Sequence, residues 1–333
     1  MPSSNRIRAG VIGAGGLSQV AHIPHLLEEE TVELIALCDL DAGRAATLAD
    51  RFEIPKWYDQ PEEMVKREKL DCVVVATPTI SHLPLCQLCL ESGIDVMVEK
   101  PFARNATEAR RIVELAEQNS RVLMAGMNHR FREDTQHLKN LLDKEELGEI
   151  ISVRAGWLKR IGVWGRPYWF TDPKLAGGGV LMDLGVQMLD LVLYLLGFPA
   201  VVEAVAATSY KVLDLDVEDS ATAFIRLDDG ITFTLELSWA NVERGDVAYT
   251  YVCGSQGGAS LNPLHLTHRQ GNRVVEVKPP GLGDQVELYR RSFRFEIAHF
   301  IDCVQSRSAP LTTGREAVMV LDVVEQLYQS AGQ

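Results

Sequence analysis

Five short apolar runs, 7–12, 34–38, 72–76, 95–98 and 122–125, punctuate the first third of the chain. Each is too brief for a buried helix and rich in Val, Ile, Leu or Met, as strands covered on both faces are. The segments between them, 42–51, 83–91 and 107–118 among others, have helical composition. Strand, helix, strand repeated in this way implies an α/β domain built on a doubly wound parallel sheet.

From about residue 149 the pattern changes to strict alternation, clearest where Ile231, Phe233, Leu235, Leu237 and Trp239 are separated by Thr232, Thr234, Glu236 and Ser238. Further strands are expected at 151–159, 201–210, 221–227, 247–253 and 273–277, and two closing helices at 293–305 and 315–330. This half reads as an α+β domain with a large, mostly antiparallel open sheet and helices on one face. The expected division is 1–126 and 127–333, with the last helix packing back on the first domain.

The 333 residues carry 33 Lys+Arg against 46 Asp+Glu, a net charge of −13, and no dense basic block. That balance argues against nucleic acid or an anionic membrane as partner and leaves a small-molecule substrate. The apolar stretch 191–202 is broken by Gly197 and Pro199 and falls short of a bilayer span. The polar start and six scattered cysteines suit a cytoplasmic protein with reduced thiols. Cys86 and Cys89 form a lone C-x-x-C; without a second ligand pair it reads as structural, and no metal is expected.

Gly13-Ala14-Gly15-Gly16-Leu17-Ser18 follows the first run and opens a helix. A bare backbone at Gly13 permits a tight turn, and Gly15, Gly16 and Leu17 let a pyrophosphate approach the helix N-terminus. Ser18 stands where the strict pattern has a third glycine. An ordinary strand-to-helix turn is the alternative, but the context points to a Rossmann dinucleotide loop. Asp39 ends the second run, placed for the hydroxyls of an adenosine ribose, which predicts NAD rather than NADP. It could instead cap the helix beginning at Asp41, and Arg44 leaves some room for a phosphate.

Ligands in such sheets bind beyond the carboxyl ends of the strands. There the runs end in Gly13 to Gly16, Asp39, Thr77-Pro78, Glu99-Lys100-Pro101 and Asn128-His129-Arg130. Lys100 on that rim would be partly desolvated, which lowers a lysine pKa toward the range of proton transfer. Otherwise it is a surface lysine. A second constellation follows Gly177-Gly178-Gly179, where a nearly all-apolar helix from 180 to 196 carries Asp183, Gln187, Asp190 and Tyr194 in one narrow stripe. Two carboxylates so placed need partners or a function, and a purely structural network is the alternative.

Taken together the motifs resemble those of the Gfo/Idh/MocA family over essentially the whole length. They are Gly13 to Gly16, Ala76-Thr77-Pro78 with His82, Glu99-Lys100-Pro101-Phe102-Ala103, Asn128 with Arg130-Phe131, the glycine triplet, Gly254-Ser255 with Gly257, and the segment from Phe295-Glu296 to Ser330. The resemblance implies a Rossmann domain, an α+β domain, a bound nicotinamide cofactor, chemistry at a hydroxyl or carbonyl of a sugar or cyclitol, and pairing through the open C-terminal sheet as a homodimer or homotetramer. By resemblance Lys100 matches the active-site lysine and Asp183 the aspartate of a D-x-x-x-H pattern, with Thr77, Pro78, His82, Glu99 and Asn128 on the cofactor side. Gln187 stands where many members have histidine, and a carboxamide exchanges no proton at neutral pH. Lys100, bonded to Asp183 directly or through water, would then move the proton while Gln187 orients the substrate.

Tyr168 and His129 are reserve acid/base candidates, and 151–170, with Trp157, Lys159, Arg160, Trp164, Arg166, Tyr168 and Trp169, is the expected substrate segment. Its tryptophans could equally be core or interface residues. Beside an NAD-dependent carbohydrate dehydrogenase stand two alternatives: a silent cofactor-binding relative, and a reductase of a non-carbohydrate substrate.

Overall fold

A computed structural model describes residues 6–161, 168–279 and 281–332. The chain divides into two compact units, Met1–Asn128 with Arg290–Val318, and His129–Tyr289 with Met319–Gln333.

The first unit holds β1 (Ile7–Ile12), α1 (Ile23–Glu28), β2 (Val32–Cys38), α2 (Ala42–Arg51), β3 (Lys56–Tyr58), α3 (Pro61–Arg67), β4 (Cys72–Val75), α4 (His82–Glu91), β5 (Asp95–Glu99), α5 (Ala106–Gln118) and β6 (Leu123–Gly126). All its strand pairs are parallel, in the order β3-β2-β1-β4-β5-β6. The order reverses at β1 and β4, and the crevice beyond their carboxyl ends is where such sheets bind ligands. β4 and β5 are buried at every residue, as the continuous apolar runs required. β3 and α3 were not foreseen: β3 is a largely exposed three-residue edge, and Pro61 starts α3 over a polar sequence.

Residues 290–318 group with this sheet, and the remainder of the last helix groups with the second unit. Ala125 N–H donates to Thr312 O at 3.0 Å. Arg307 binds buried Asp95, and the space beside Gly314 is filled by Val113 and Leu123.

The second unit holds α6 (Glu133–Asp143), β7 (Ile150–Arg160), α7 (Pro173–Ala176), α8 (Val186–Leu196), β8 (Val201–Ser209), β9 (Ser220–Leu227), β10 (Thr232–Asn241), β11 (Val247–Gly254), β12 (Gly257–Leu261), β13 (His265–Gln270) and β14 (Arg273–Val277). Its eight-stranded sheet runs β14-β13-β12-β11-β7-β10-β9-β8 and is antiparallel except for the β7–β10 pair. Alternate residues of β9 and β10, among them Ile225, Phe233, Leu235 and Trp239, are buried. The opposite face exposes Val205, Phe224 and Tyr251 in one cross-strand row with Thr234 and Arg154. β12 and β13 were missed because Gly257, Gly258 and the cis Asn262–Pro263 bond hide a hairpin behind turn-forming residues.

Two helices, α9 (Gln285–Ser306) and α10 (Gly314–Ser330), close the chain. α9 starts well before the expected residue 293, because Asp284 caps it by accepting from Glu287 N–H at 2.8 Å. The helical run Pro173–Leu196 has the length and hydropathy of a membrane span, but 94% of its most apolar 18 residues are buried inside the protein, as in a core helix.

Candidate active site

The first unit gathers one set of candidates at the carboxyl ends of its strands. Gly13 has φ +104°, and a Cβ there would lie 2.3 Å from Ala76 O, so no other residue fits the turn. Its N–H donates to Cys38 O, while Ser18, buried, donates from Oγ to Gly13 O at 2.6 Å. The serine in place of the third glycine thus ties off the loop. Beside Gly15 and Gly16, by contrast, a Cβ would meet nothing within 4 Å. Leu17 precedes a π-type turn, Ser18–His22, that leads into α1.

Asp39 is aimed at this loop. One carboxylate oxygen accepts from Ala14 N–H at 2.8 Å and the other from Asp41 N–H at 2.9 Å. The capping role belongs to Asp41, which accepts from Arg44 N–H at 3.0 Å. Arg44 Nη1 lies 3.5 Å from Asp39 Oδ2 and is half exposed.

Thr77 and Pro78 follow β4, and Glu99 and Lys100 end and follow β5. His82 sits behind both loops, its Nε2 2.9 Å from Thr77 O and its Nδ1 2.9 Å from Pro101 O. It is buried, and that burial lowers its pKa against the pull of the carbonyls and Glu99. Its two ring nitrogens thus face one carbonyl from each loop, and a nitrogen donates only where it carries a proton. Glu99 is buried, accepts from Lys100 N–H at 3.0 Å, and places its other oxygen 2.9 Å from buried His22 Nε2, off the direction a hydrogen bond needs. Lys100 is partly buried and joined to Pro101 by a cis bond. Asn128 donates to Ser292 Oγ at 2.9 Å, and the buried Thr79 hydroxyl has no hydrogen-bond partner among the described residues.

The second unit carries the other set. Residues Leu181–Gly185 form a π turn continuous with α8, the kind of local widening that recurs at functional sites. Asp183 Oδ2 accepts from Trp239 Nε1–H at 3.0 Å, and Gln187 donates to Asp183 O at 3.0 Å. The polar stripe divides here. Asp190 is paired with Arg130, each 1% exposed, and Tyr194 Oη accepts from Gln136 at 2.9 Å. Its lower half is a structural network, and Asp183 and Gln187 remain the stripe's candidate site residues.

Trp157 packs against His129, ring centroids 5.4 Å apart, with Lys159 Nζ 5.3 Å above the indole. His129 also meets Tyr289 edge-on, so this reserve acid/base candidate is embedded among aromatic rings. Trp164 and Arg166 lie outside the described residues, and Tyr168 begins the 3-10 turn Tyr168–Thr171. Sequence reasoning missed Trp239 as the partner of Asp183: its strand alternation marked it as core, and nothing local showed its indole N–H meeting a carboxylate.

Residues 7–127 match the family described as an oxidoreductase family with an NAD-binding Rossmann fold, and residues 135–260 match the GFO/IDH/MocA C-terminal domain. D-glucoside 3-dehydrogenase of Escherichia coli K12 is 31% identical, covering 99% of this chain and 96% of its own length. D-xylose 1-dehydrogenase (NADP(+)) 2 of Haloferax volcanii is 28% identical, covering 97% and 96%. The crystal structure of GenD2 from gentamicin A biosynthesis, in complex with NAD, has a TM-score of 0.86 at 27% identity, covering 99% of this chain and 95% of that one. The chain belongs to the Gfo/Idh/MocA family of NAD(P)-dependent oxidoreductases.

Proposed function

We propose that this protein is an NAD-dependent dehydrogenase acting on a ring hydroxyl of a sugar or cyclitol, with Lys100 as the proton-transfer group. The observation that carries the reading is the rim of the first unit. There the unobstructed backbone of Gly15 and Gly16, the carboxylate of Asp39 pinned beside it, and the partly buried amine-bearing Lys100 all follow carboxyl ends of one parallel sheet. Those residues fit a dinucleotide. Gly15, Gly16 and Leu17 would hold the pyrophosphate, and Asp39 the adenosine ribose, where a carboxylate repels the 2′-phosphate of NADP. NAD, when bound, supplies the acceptor for the hydride leaving the carbinol carbon.

The protein supplies the rest. Lys100 accepts the hydroxyl proton of the substrate. Asp183, held by Trp239, and Gln187, held by its own helix, orient the substrate hydroxyls, and Trp157 offers an aromatic face to the sugar ring. Gln187 has no proton to exchange, which leaves that task with Lys100. The substrate class is supported by the dehydrogenases of glucosides and xylose that this chain resembles. The row Val205, Phe224 and Tyr251 supports pairing of two copies through the open sheet face, to be checked by light scattering.

The test is a panel of methyl glucosides, free pentoses and hexoses, and inositols, with NAD or NADP, followed by the near-ultraviolet absorbance of reduced cofactor. The expected result is turnover with at least one polyol and a preference for NAD. Thermal stabilisation by NAD with no turnover anywhere in the panel would replace this reading with a silent binder.

A further inference from the structure

The glycine triplet is built around a buried carboxylate, and that carboxylate is held by the last helix. Glu218, 1% exposed, accepts from Gly179 N–H through Oε2 at 3.0 Å and from Leu181 N–H through Oε1 at 2.9 Å. Tyr328, on α10, donates from its hydroxyl to the same Oε1 at 2.7 Å and accepts from Gly179 N–H at 3.3 Å. The glycines are required by this arrangement. A Cβ on Gly178 would lie 2.1 Å from the Tyr328 oxygen, and one on Gly179 would lie 2.3 Å from Glu218 O.

A helix start leaves its first N–H groups without partners, and a carboxylate there satisfies both the donors and the dipole. Here the carboxylate binds Gly179, two residues ahead of the π turn that carries Asp183, and Leu181, the first residue of that turn. The neighbouring residue completes the frame: Asp219 O accepts from Trp239 N–H at 2.8 Å, and Trp239 Nε1–H holds Asp183 Oδ2. One dipeptide, Glu218-Asp219, therefore sets both the helix that bears Asp183 and the indole that aims it.

We propose that Glu218 and Tyr328 are positioning residues for the reaction, acting through the glycine triplet on the placement of Asp183 and Gln187. The proposal rests on the role given to Asp183 above. It explains why the chain places Gly178, Gly179 and a buried acid at a helix start that a single exposed serine could cap.

The test uses Tyr328→Phe, which removes only the hydroxyl, and Glu218→Gln, which keeps the shape of the acid. Two readouts apply. Amide hydrogen exchange of the peptide spanning 177–187 should quicken about five- to tenfold in Tyr328→Phe, the loss of one net hydrogen bond, with residues 13–19 unchanged. With NAD and the most rapidly oxidised sugar of the panel, kcat should fall about ten- to hundredfold while KM for NAD stays put, as a small displacement of a reacting group produces. Gly178→Ala should lose kcat similarly, and adding Tyr328→Phe to it should recover part of the loss rather than compound it. Glu218→Gln is expected to follow Tyr328→Phe in both readouts. Wild-type exchange and kcat in Tyr328→Phe would overturn the proposal, as would quickened exchange spread evenly over the chain, which marks general destabilisation. Asp183→Asn distinguishes the two levels of reading. Full turnover in that variant would remove the role of Asp183 and this proposal with it; an inactive Asp183→Asn beside a wild-type Tyr328→Phe would remove this proposal alone.

Discussion

Replacing Asp190 with Ala separates the structural half of the polar stripe from its chemical half. Asp190 takes two bonds from Arg130, Nε–H at 2.8 Å and Nη2–H at 2.5 Å, and both side chains are 1% exposed. The guanidinium is further sandwiched between the rings of Tyr194 and Phe198, 5.0 and 4.8 Å from their centroids. Removing the acid strands a buried cation, a change that costs about 3–5 kcal/mol, whereas exchanging both partners for apolar groups of like volume is often near neutral. Divided by a urea slope of about 2–3 kcal/mol per molar, that loss moves the midpoint down by roughly 1–2.5 M. Urea unfolding followed by circular dichroism measures it, alongside kcat of the folded enzyme at low temperature. The expected outcome is a large stability loss in Asp190→Ala, partial recovery in Arg130→Met/Asp190→Leu, and kcat within a few-fold of wild type. A midpoint that hardly moves, or a folded Asp190→Ala as inactive as a variant of Asp183, would refute the division of the stripe.

Three further outcomes follow from single contacts. Gly13→Ala forces a Cβ to 2.3 Å from Ala76 O at φ +104°, so it should destabilise the first unit and abolish NAD-induced thermal stabilisation, checked by differential scanning fluorimetry. Asp39→Asn loses a charge-assisted bond to Ala14 N–H and the repulsion of a 2′-phosphate; calorimetry should show NAD binding about ten- to hundredfold weaker and the NAD/NADP preference reduced. His299 accepts from Leu311 N–H at 2.8 Å, and burial lowers its pKa below the ordinary imidazole range. Its depressed value means that the folded state disfavours the charged ring. Stability should be full above the unfolded pKa of about 6.5, decline as pH falls from there to the folded value, and lose that pH dependence in His299→Gln, as urea midpoints across pH 4–8 would show.

The parallel sheet was legible because the middles of strands buried on both faces must be apolar, as 72–75 and 96–98 are. The exposed edge β3 and the glycine-bearing hairpin β12–β13 carry no such signature, since their residues are chosen for turns and solvent. The cofactor-loop candidates were visible for a similar reason: Gly13, Gly15 and Asp39 act through backbone geometry and one short carboxylate at a strand end, all within a few dozen residues. The frame around Asp183 was not visible. Trp239 lies 56 residues from Asp183, Glu218 lies 39 from Gly179, and Tyr328 lies 149 from it. Only the three-dimensional packing pairs them, and each alone passes for a core aromatic, a loop acid or a helix residue. The stripe itself was read correctly as polar and buried, but periodicity could not divide Asp183 from Asp190, whose partner Arg130 lies 60 residues away.

Lys100→Met, assayed for both cofactor binding and turnover, separates proton transfer from dinucleotide binding. NAD affinity by calorimetry should stay within a few-fold of wild type while kcat falls by about 10²–10⁴, the usual contribution of a positioned proton-transfer group. Turnover at the wild-type rate would remove Lys100 from proton transfer.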